Sequence, residues 1–132
     1  MFTITACDPA HNGFFENGTS NKIKVIIPDY LYPIEPGIII SSYPYMNRID
    51  SISEQVSIID SAGRKYLSAT LNSMESLLVS YSLGIRPHTD RNIYYQVINE
   101  IDTIFLPEKE IFSIMKKRDN SRFKYYFSYT SN

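Results

Sequence analysis

Hydrophobic and polar positions in the first half of the chain alternate in short runs broken by Gly, Asn and Pro, a pattern with the period of strands. Phe2–Asp8 reads as a strand, with Phe2, Ile4 and Ala6 on one face and threonines on the other. Residues 9–21 (PAHNGFFENGTSN) are dense in Gly and Asn and are expected to form a loop or a long hairpin connection. Lys22–Ile27 alternates and then becomes fully apolar, as a strand entering a core does, and is expected to pair antiparallel with the first. Three prolines between positions 28 and 37 keep that stretch out of a sheet, because proline fixes φ and removes a donor. An extended surface loop presenting Tyr30, Tyr32 and Glu35 is expected there. Further strands are read at Ile38–Tyr43, Gln55–Asp60 and Arg64–Ala69. The last two are joined by Asp60-Ser61-Ala62-Gly63, a turn with Gly63 available for positive φ.

In the second half the pattern reads as helical. In residues 72–84 (NSMESLLVSYSLG), Asn72 is a good N-cap and Glu75 completes a capping box. Leu71, Met74, Leu78, Tyr81 and Ile85 recur at helical spacing, serines 73, 76, 80 and 82 form the outer face, and Gly84 and Pro87 end the element. Over 92–105, the spacing of Ile93, Val97, Ile101 and Ile104 favours a helix and leaves a strand open. Pro107 opens a further short helix, with Glu108 and Glu110 at its start and Lys116, Lys117 and Arg118 at its end. Arg122–Tyr129 is a final strand. The fold expected is α+β over residues 1–132 as one domain. It has a curved antiparallel sheet of about five to six strands, the 72–84 helix packed across one face, additional C-terminal helices, and the 122–129 strand at an edge.

Charge changes the picture more than composition does. The net charge is −1, but residues 1–108 carry 7 Lys/Arg against 12 Asp/Glu and residues 109–132 carry 6 against 2. An acidic body of −5 thus precedes a basic tail of +4. The chain has 11 Tyr, 7 Phe and no Trp, and tyrosine serves both core edges and binding surfaces. A single cysteine, Cys7, precludes an internal disulfide and suits a reducing compartment. The N-terminus lacks the basic and long apolar regions of a signal peptide, and no apolar run approaches the roughly 18 residues a bilayer requires. A cytoplasmic location is expected.

Candidate chemistries are few. Cys7, His11 and His88 are too few and too irregularly spaced for a zinc site, and no glycine elbow surrounds Cys7 or His88 as a nucleophilic pair. Ser113 and Lys116 match an S-x-x-K spacing that an ordinary amphipathic helix also provides. No glycine-rich phosphate cradle occurs. Glu100/Asp102 and Glu108/Glu110 are read as solvated charges. No catalytic residue, metal or cofactor is expected. Lys116-Lys117-Arg118 and Arg122-Phe123-Lys124-Tyr125-Tyr126 interleave cations with aromatics, the pattern of a single-strand stacking platform, with a lysine-protected edge strand as the alternative.

The 72–84 segment, following a hairpin with a Gly-containing turn, resembles a D-S-L-Q-A-L-L-L-A-L-like helix of a family of small bacterial domains. Asn72 stands for the Asp, Met74 for the first Leu, Glu75 for the Gln and Leu77-Leu78 for the central pair, while Ser76, Ser80 and Tyr81 depart from it. Some members of that family look like immunity proteins of bacterial toxin systems, including contact-dependent inhibition. The resemblance covers roughly residues 54–84 and transfers no functional residue. Together with the acidic body it leads to the expectation of a non-enzymatic cytoplasmic immunity protein that occludes a cognate, basic toxin domain. The contact residues expected are Asp29, Tyr30, Tyr32, Glu35, Tyr43 and Tyr45, with a rigid connecting loop over 28–45 as the alternative. The competing function is a nucleic-acid-associated regulator working through the basic tail.

Overall fold

The computed structural model describes residues 10–29, 39–40, 49–50, 55–117 and 123–130. The expected strand at 2–8, most of the proline-rich loop, and Cys7 lie outside the described residues. Within them run eleven strands and one helix: β1 (Ala10–Asn17), β2 (Ile23–Pro28), β3 (Ile39–Ile40), β4 (Ile49–Asp50), β5 (Val56–Ser61), β6 (Arg64–Leu71), β7 (Ser76–Leu83), β8 (Tyr94–Ile98), β9 (Thr103–Pro107), α1 (Glu108–Ser113), β10 (Lys116–Lys117) and β11 (Lys124–Tyr129). They form two sheets, one ordered β10-β11-β1-β7-β3-β4 and the other β5-β6-β2-β8-β9. The expected α+β fold, with one sheet, a central helix and additional C-terminal helices, is therefore replaced by a mostly β fold with a single short helix among the described residues.

Both sheets contribute to one core. Phe15, Leu77, Val79, Tyr125 and Tyr129 from the six-stranded sheet meet Ile23, Val25, Ile27, Leu67, Ala69, Leu71, Tyr95 and Val97 from the five-stranded sheet. The Phe15 and Tyr95 rings face each other at 6.1 Å. Polar stitches cross between the sheets as well. Buried Asn17, ending β1, donates to the carbonyl of Leu71 at 3.0 Å, and Asn99 donates to the Tyr129 hydroxyl at 2.9 Å.

Strands with one solvated face form where alternation predicts them. β2 alternates with Ile23, Val25 and Ile27 buried, and Pro28 is tolerated because it ends the strand, opposite Tyr66. β5 and β6 form the expected hairpin, in unbroken register from Val56↔Ala69 to Ser61↔Arg64. Its turn holds Ala62 at φ 53° and Gly63 at φ 78°, the two positive values of a type I′ connection.

The expected 72–84 helix does not form. One half of the expected capping box forms, the Asn72 N–H donating to Glu75 Oε1 at 2.8 Å, while the Glu75 N–H donates to the Asn72 backbone carbonyl at 3.1 Å. Here the pair closes a turn, and Met74 at φ 68° prevents a helix from continuing. β7 follows, buried on both faces, so its apolar positions lack a clean period of two. Leu77 and Val79 face the core, Leu78 faces the other side, and Ser76 and Ser80 are buried instead of forming an outer face. A register shift opposite Gly13/Phe14 makes Val79 a bulge and further blurs the alternation.

The favoured helix at 92–105 is instead the antiparallel pair β8 and β9. Val97 is buried, but Ile101 sits on the intervening turn with 91% of its surface exposed, so the apparent stripe is not one face. Residues 9–21, expected as a loop, contain β1. Gly13 belongs inside that strand because a Cβ there would stand 3.0 Å from Met115 Sδ and 3.1 Å from Ser80 Cβ. The short helix after Pro107 does form, but Lys116 and Lys117 leave it to make β10. β11 is not at the edge; it lies parallel to β1, with β10 outside it.

Candidate functional site

The two sheets differ in what lies on their second faces. In the six-stranded sheet, Phe14, Glu16, Ser76, Leu78 and Tyr126 point away from the shared core and are nevertheless buried. The Phe14 and Tyr126 rings stack there at 5.1 Å. In the five-stranded sheet the corresponding face is open. Strand alternation sends Ile59, Tyr66, Ile26, Tyr94, Gln96 and Phe105 outward. Tyr94 is 50% exposed, Phe105 60% and Ile59 45%.

Of these, Ile26, Tyr66, Tyr94, Gln96 and Phe105 border a concavity of about 580 Å³. Ile26, Pro28 and Ile93 line it with aliphatic surface; Tyr66, Tyr94 and Phe105 supply aromatic surface. Arg64, Asn92 and Gln96 are its polar contributors. A mostly apolar hollow with a few convergent polar groups is the usual construction of a binding site.

One rim of the hollow is held by charge. Asp29, at φ 51°, turns the chain out of β2; Asp tolerates that backbone better than most residues. Its carboxylate receives Arg64 Nη2 at 2.6 Å and Nε at 3.2 Å, and the Arg64 guanidinium also lies 5.6 Å over the Tyr66 ring. The hydrogen bond from Arg64 holds the Asp29 carboxyl below its ordinary value of 3.8; desolvation opposes this, and the charges of Arg64 and Arg91 reinforce it. The same contact raises the already high pKa of Arg64.

Behind this rim lies a buried carboxylate where the sequence leads to the expectation of a solvated charge. Glu108 is fully buried. Its Oε1 accepts from Thr89 Oγ1 at 2.8 Å and Arg91 Nε at 3.0 Å, and its Oε2 from Arg91 Nη2 and the Tyr95 hydroxyl, both at 2.8 Å. Arg91 Nη1 continues to the carbonyl of Asp29. Four donors saturate the carboxylate, so the cluster locks α1, β8 and the end of β2 together, and its chemistry is that of a fixed ion pair.

Of the six expected contact residues, Asp29 stands at the rim, engaged by Arg64. Tyr30, Tyr32, Glu35, Tyr43 and Tyr45 lie outside the described residues. Sequence reading missed Tyr66, Tyr94 and Phe105. A signal for the last two was present: Asn99 begins a run resembling an Asx turn, and its Oδ1 accepts from the N–H groups of Ile101 and Asp102 at 2.8 and 2.7 Å. A hairpin at that point places Tyr94, Gln96 and Phe105 on one face.

The basic, aromatic tail is organised differently from a stacking platform. Tyr125 and Tyr126 are each only 6% exposed. Arg86 and Lys117 lie over the Tyr125 ring at 5.5 and 5.7 Å, and His11 Nδ1 is 3.2 Å from its hydroxyl. His88 is exposed, with Nδ1 3.4 Å from the Arg86 carbonyl. Ser113 Oγ donates to the Glu110 carbonyl at 2.8 Å, and Lys116 lies beyond that helix, so the two do not share its face. Among the described residues no three His, Cys, Asp or Glu side chains gather as metal ligands, and no helix is long and apolar enough to cross a membrane. No protein-family model matches this chain, and no curated protein or solved structure matches it either.

Proposed function

We propose that this protein acts by binding another protein through the outer face of the five-stranded sheet, and that it neutralises that partner by occlusion, as a cytoplasmic immunity protein does. The observation carrying this reading is the exposure of Tyr94 and Phe105 around one hollow, with exposed Ile59 on the same face, on a sheet whose opposite face is core. Aromatic side chains beside a pocket are the usual anchors of a protein interface. The net −5 of residues 1–108 favours a basic partner, whose encounter it accelerates. The basic-tail alternative has less support, since a tyrosine ring held inside a sheet sandwich offers no free face to a base.

The proposal requires a toxic domain encoded beside the gene for this chain, and the test uses that domain. Wild-type protein is expected to protect cells producing that domain and to bind it in calorimetry. Tyr94→Ala and Phe105→Ala are expected to weaken binding at least about ten-fold each while leaving the melting temperature unchanged. Full protection by the double variant, or absence of binding by the wild type, refutes the assignment.

A further inference from the structure

We propose that a second copy of this chain docks on strand β5, joining the two five-stranded sheets edge to edge into one sheet of ten. The inference rests on how differently the sheet edges are built, and it is independent of the function proposed above. Among the described residues the sheets end in β4, β10, β5 and β9. β4 and β10 are two residues long, and β10 consists of Lys116 and Lys117, both exposed. β9 ends in Pro107 and runs directly into α1. Shortness, lysine and proline are the devices by which proteins stop sheets from growing.

β5 has none of them. Six residues, Val56-Ser57-Ile58-Ile59-Asp60-Ser61, lie in unbroken register with β6 and pair with no other described strand. Every residue from Ser57 to Ser61 is exposed, including Ile58 at 42% and Ile59 at 45%. One side of this strand thus presents a row of backbone donors and acceptors beside two large apolar side chains, the requirement for strand addition.

The sequence of β5 fits its own copy. Antiparallel strands related by a two-fold axis normal to the sheet keep each side chain on its original face, so residues facing each other must share a parity. An axis through Ile58 sets Ile58 against its own copy, Ser57 against Ile59 and Val56 against Asp60. Ile58 is on the same side as Val56, the core side, so the pair extends the core layer across the seam. Ile59 lies on the side of Tyr66, so the two outer faces become continuous. The only charge on the strand, Asp60, already opposes Lys65 in its own sheet and does not meet the second carboxylate.

Sedimentation of the full-length chain over a concentration series tests this. A monomer–dimer equilibrium is expected, and Ile58→Lys is expected to raise its dissociation constant at least about ten-fold, because like charges then stand directly opposite. Ile101→Lys, on a turn remote from the axis in sequence, is expected to leave the equilibrium unchanged. Ile58→Cys in a Cys7→Ser background supplies a reading that tolerates a poorly folded lysine variant. Under oxidation it is expected to yield a covalent dimer, and Ile101→Cys in that background is not. A chain that is monomeric throughout, a dimer indifferent to Ile58→Lys, or no cross-link through Cys at position 58 overturns the proposal.

Discussion

The six-stranded sheet is buried on both faces around β1 and β7, while the five-stranded sheet keeps one face for the outside. Phe14 and Phe105 embody the contrast. Both are phenylalanines on faces turned away from the shared core, yet Phe14 is fully buried and Phe105 is 60% exposed. The same side chain therefore sits in opposite environments in the two sheets: packed in one, exposed beside the hollow in the other. An exposed apolar cluster is the informative deviation, since scattered single ones are ordinary on protein surfaces.

The largest effect expected from this contrast is on stability. Phe14→Ala should lower the free energy of unfolding in urea by about 3–5 kcal/mol, the range for emptying a buried aromatic site. Phe105→Ala should change it by no more than about 0.5 kcal/mol, as an exposed position does. Equal effects at the two sites would erase the distinction between the sheets.

Glu108→Ala should follow in size, with a loss on the order of 3 kcal/mol, because it removes the carboxylate to which the Arg91 Nε and Nη2 groups and the Tyr95 hydroxyl donate. Since Arg91 also holds the Asp29 carbonyl, this change should loosen the rim of the hollow along with the interior. Hydrogen exchange at the end of β2 checks that coupling: faster exchange there, with β11 unaffected, is the expected result.

The smallest effect concerns the exposed Asp29–Arg64 pair. The folded pKa of Asp29 lies below its ordinary 3.8. The pair's contribution is therefore fully present above that ordinary value and is lost as pH falls through the folded one. An NMR titration should show Arg64→Ala returning Asp29 toward 3.8 and reducing the acid sensitivity of stability. At neutral pH the change should be slight, as for most exposed ion pairs. A large loss there would mean that the rim is a structural element comparable to Glu108.

Apart from β11, the strands most legible in the sequence share one property with the five-stranded sheet: a solvated face. β2, β5 and β6 were readable because Ile23/Val25/Ile27 and the turn at Ala62-Gly63 state period and connection locally. β7 was not. Its Asn72/Glu75 contact is real, and its Leu77-Leu78-Val79 run fits a helix as well as it fits a strand packed on both sides. At β1 the glycine and asparagine content argued for a loop. Gly13 and Asn17 are there because Met115 crowds the backbone and because Leu71 and Asn21 need a donor. Met115 and Leu71 are distant in sequence and leave no mark on the local pattern. Of the residues around the hollow, the sequence singles out Asp29, which stands at the rim, but not Tyr66, Tyr94 or Phe105, because exposure is decided by what lies opposite a face and not by the residue itself.

By itself, then, the chain determined the β5–β6 hairpin, the β2 strand, the short helix after Pro107 and an acidic body with a basic end. These depend on backbone preferences and charges that act within a few residues of each other. Tertiary structure decided the rest: that 76–83 extends as a strand, that β11 runs parallel to β1, that Glu108 is enclosed, and that one sheet keeps an aromatic face open. Each of those outcomes is a choice among local conformations of similar free energy. Burial against remote residues makes the choice, and its contribution per side chain exceeds the fractions of a kcal/mol by which local propensities differ.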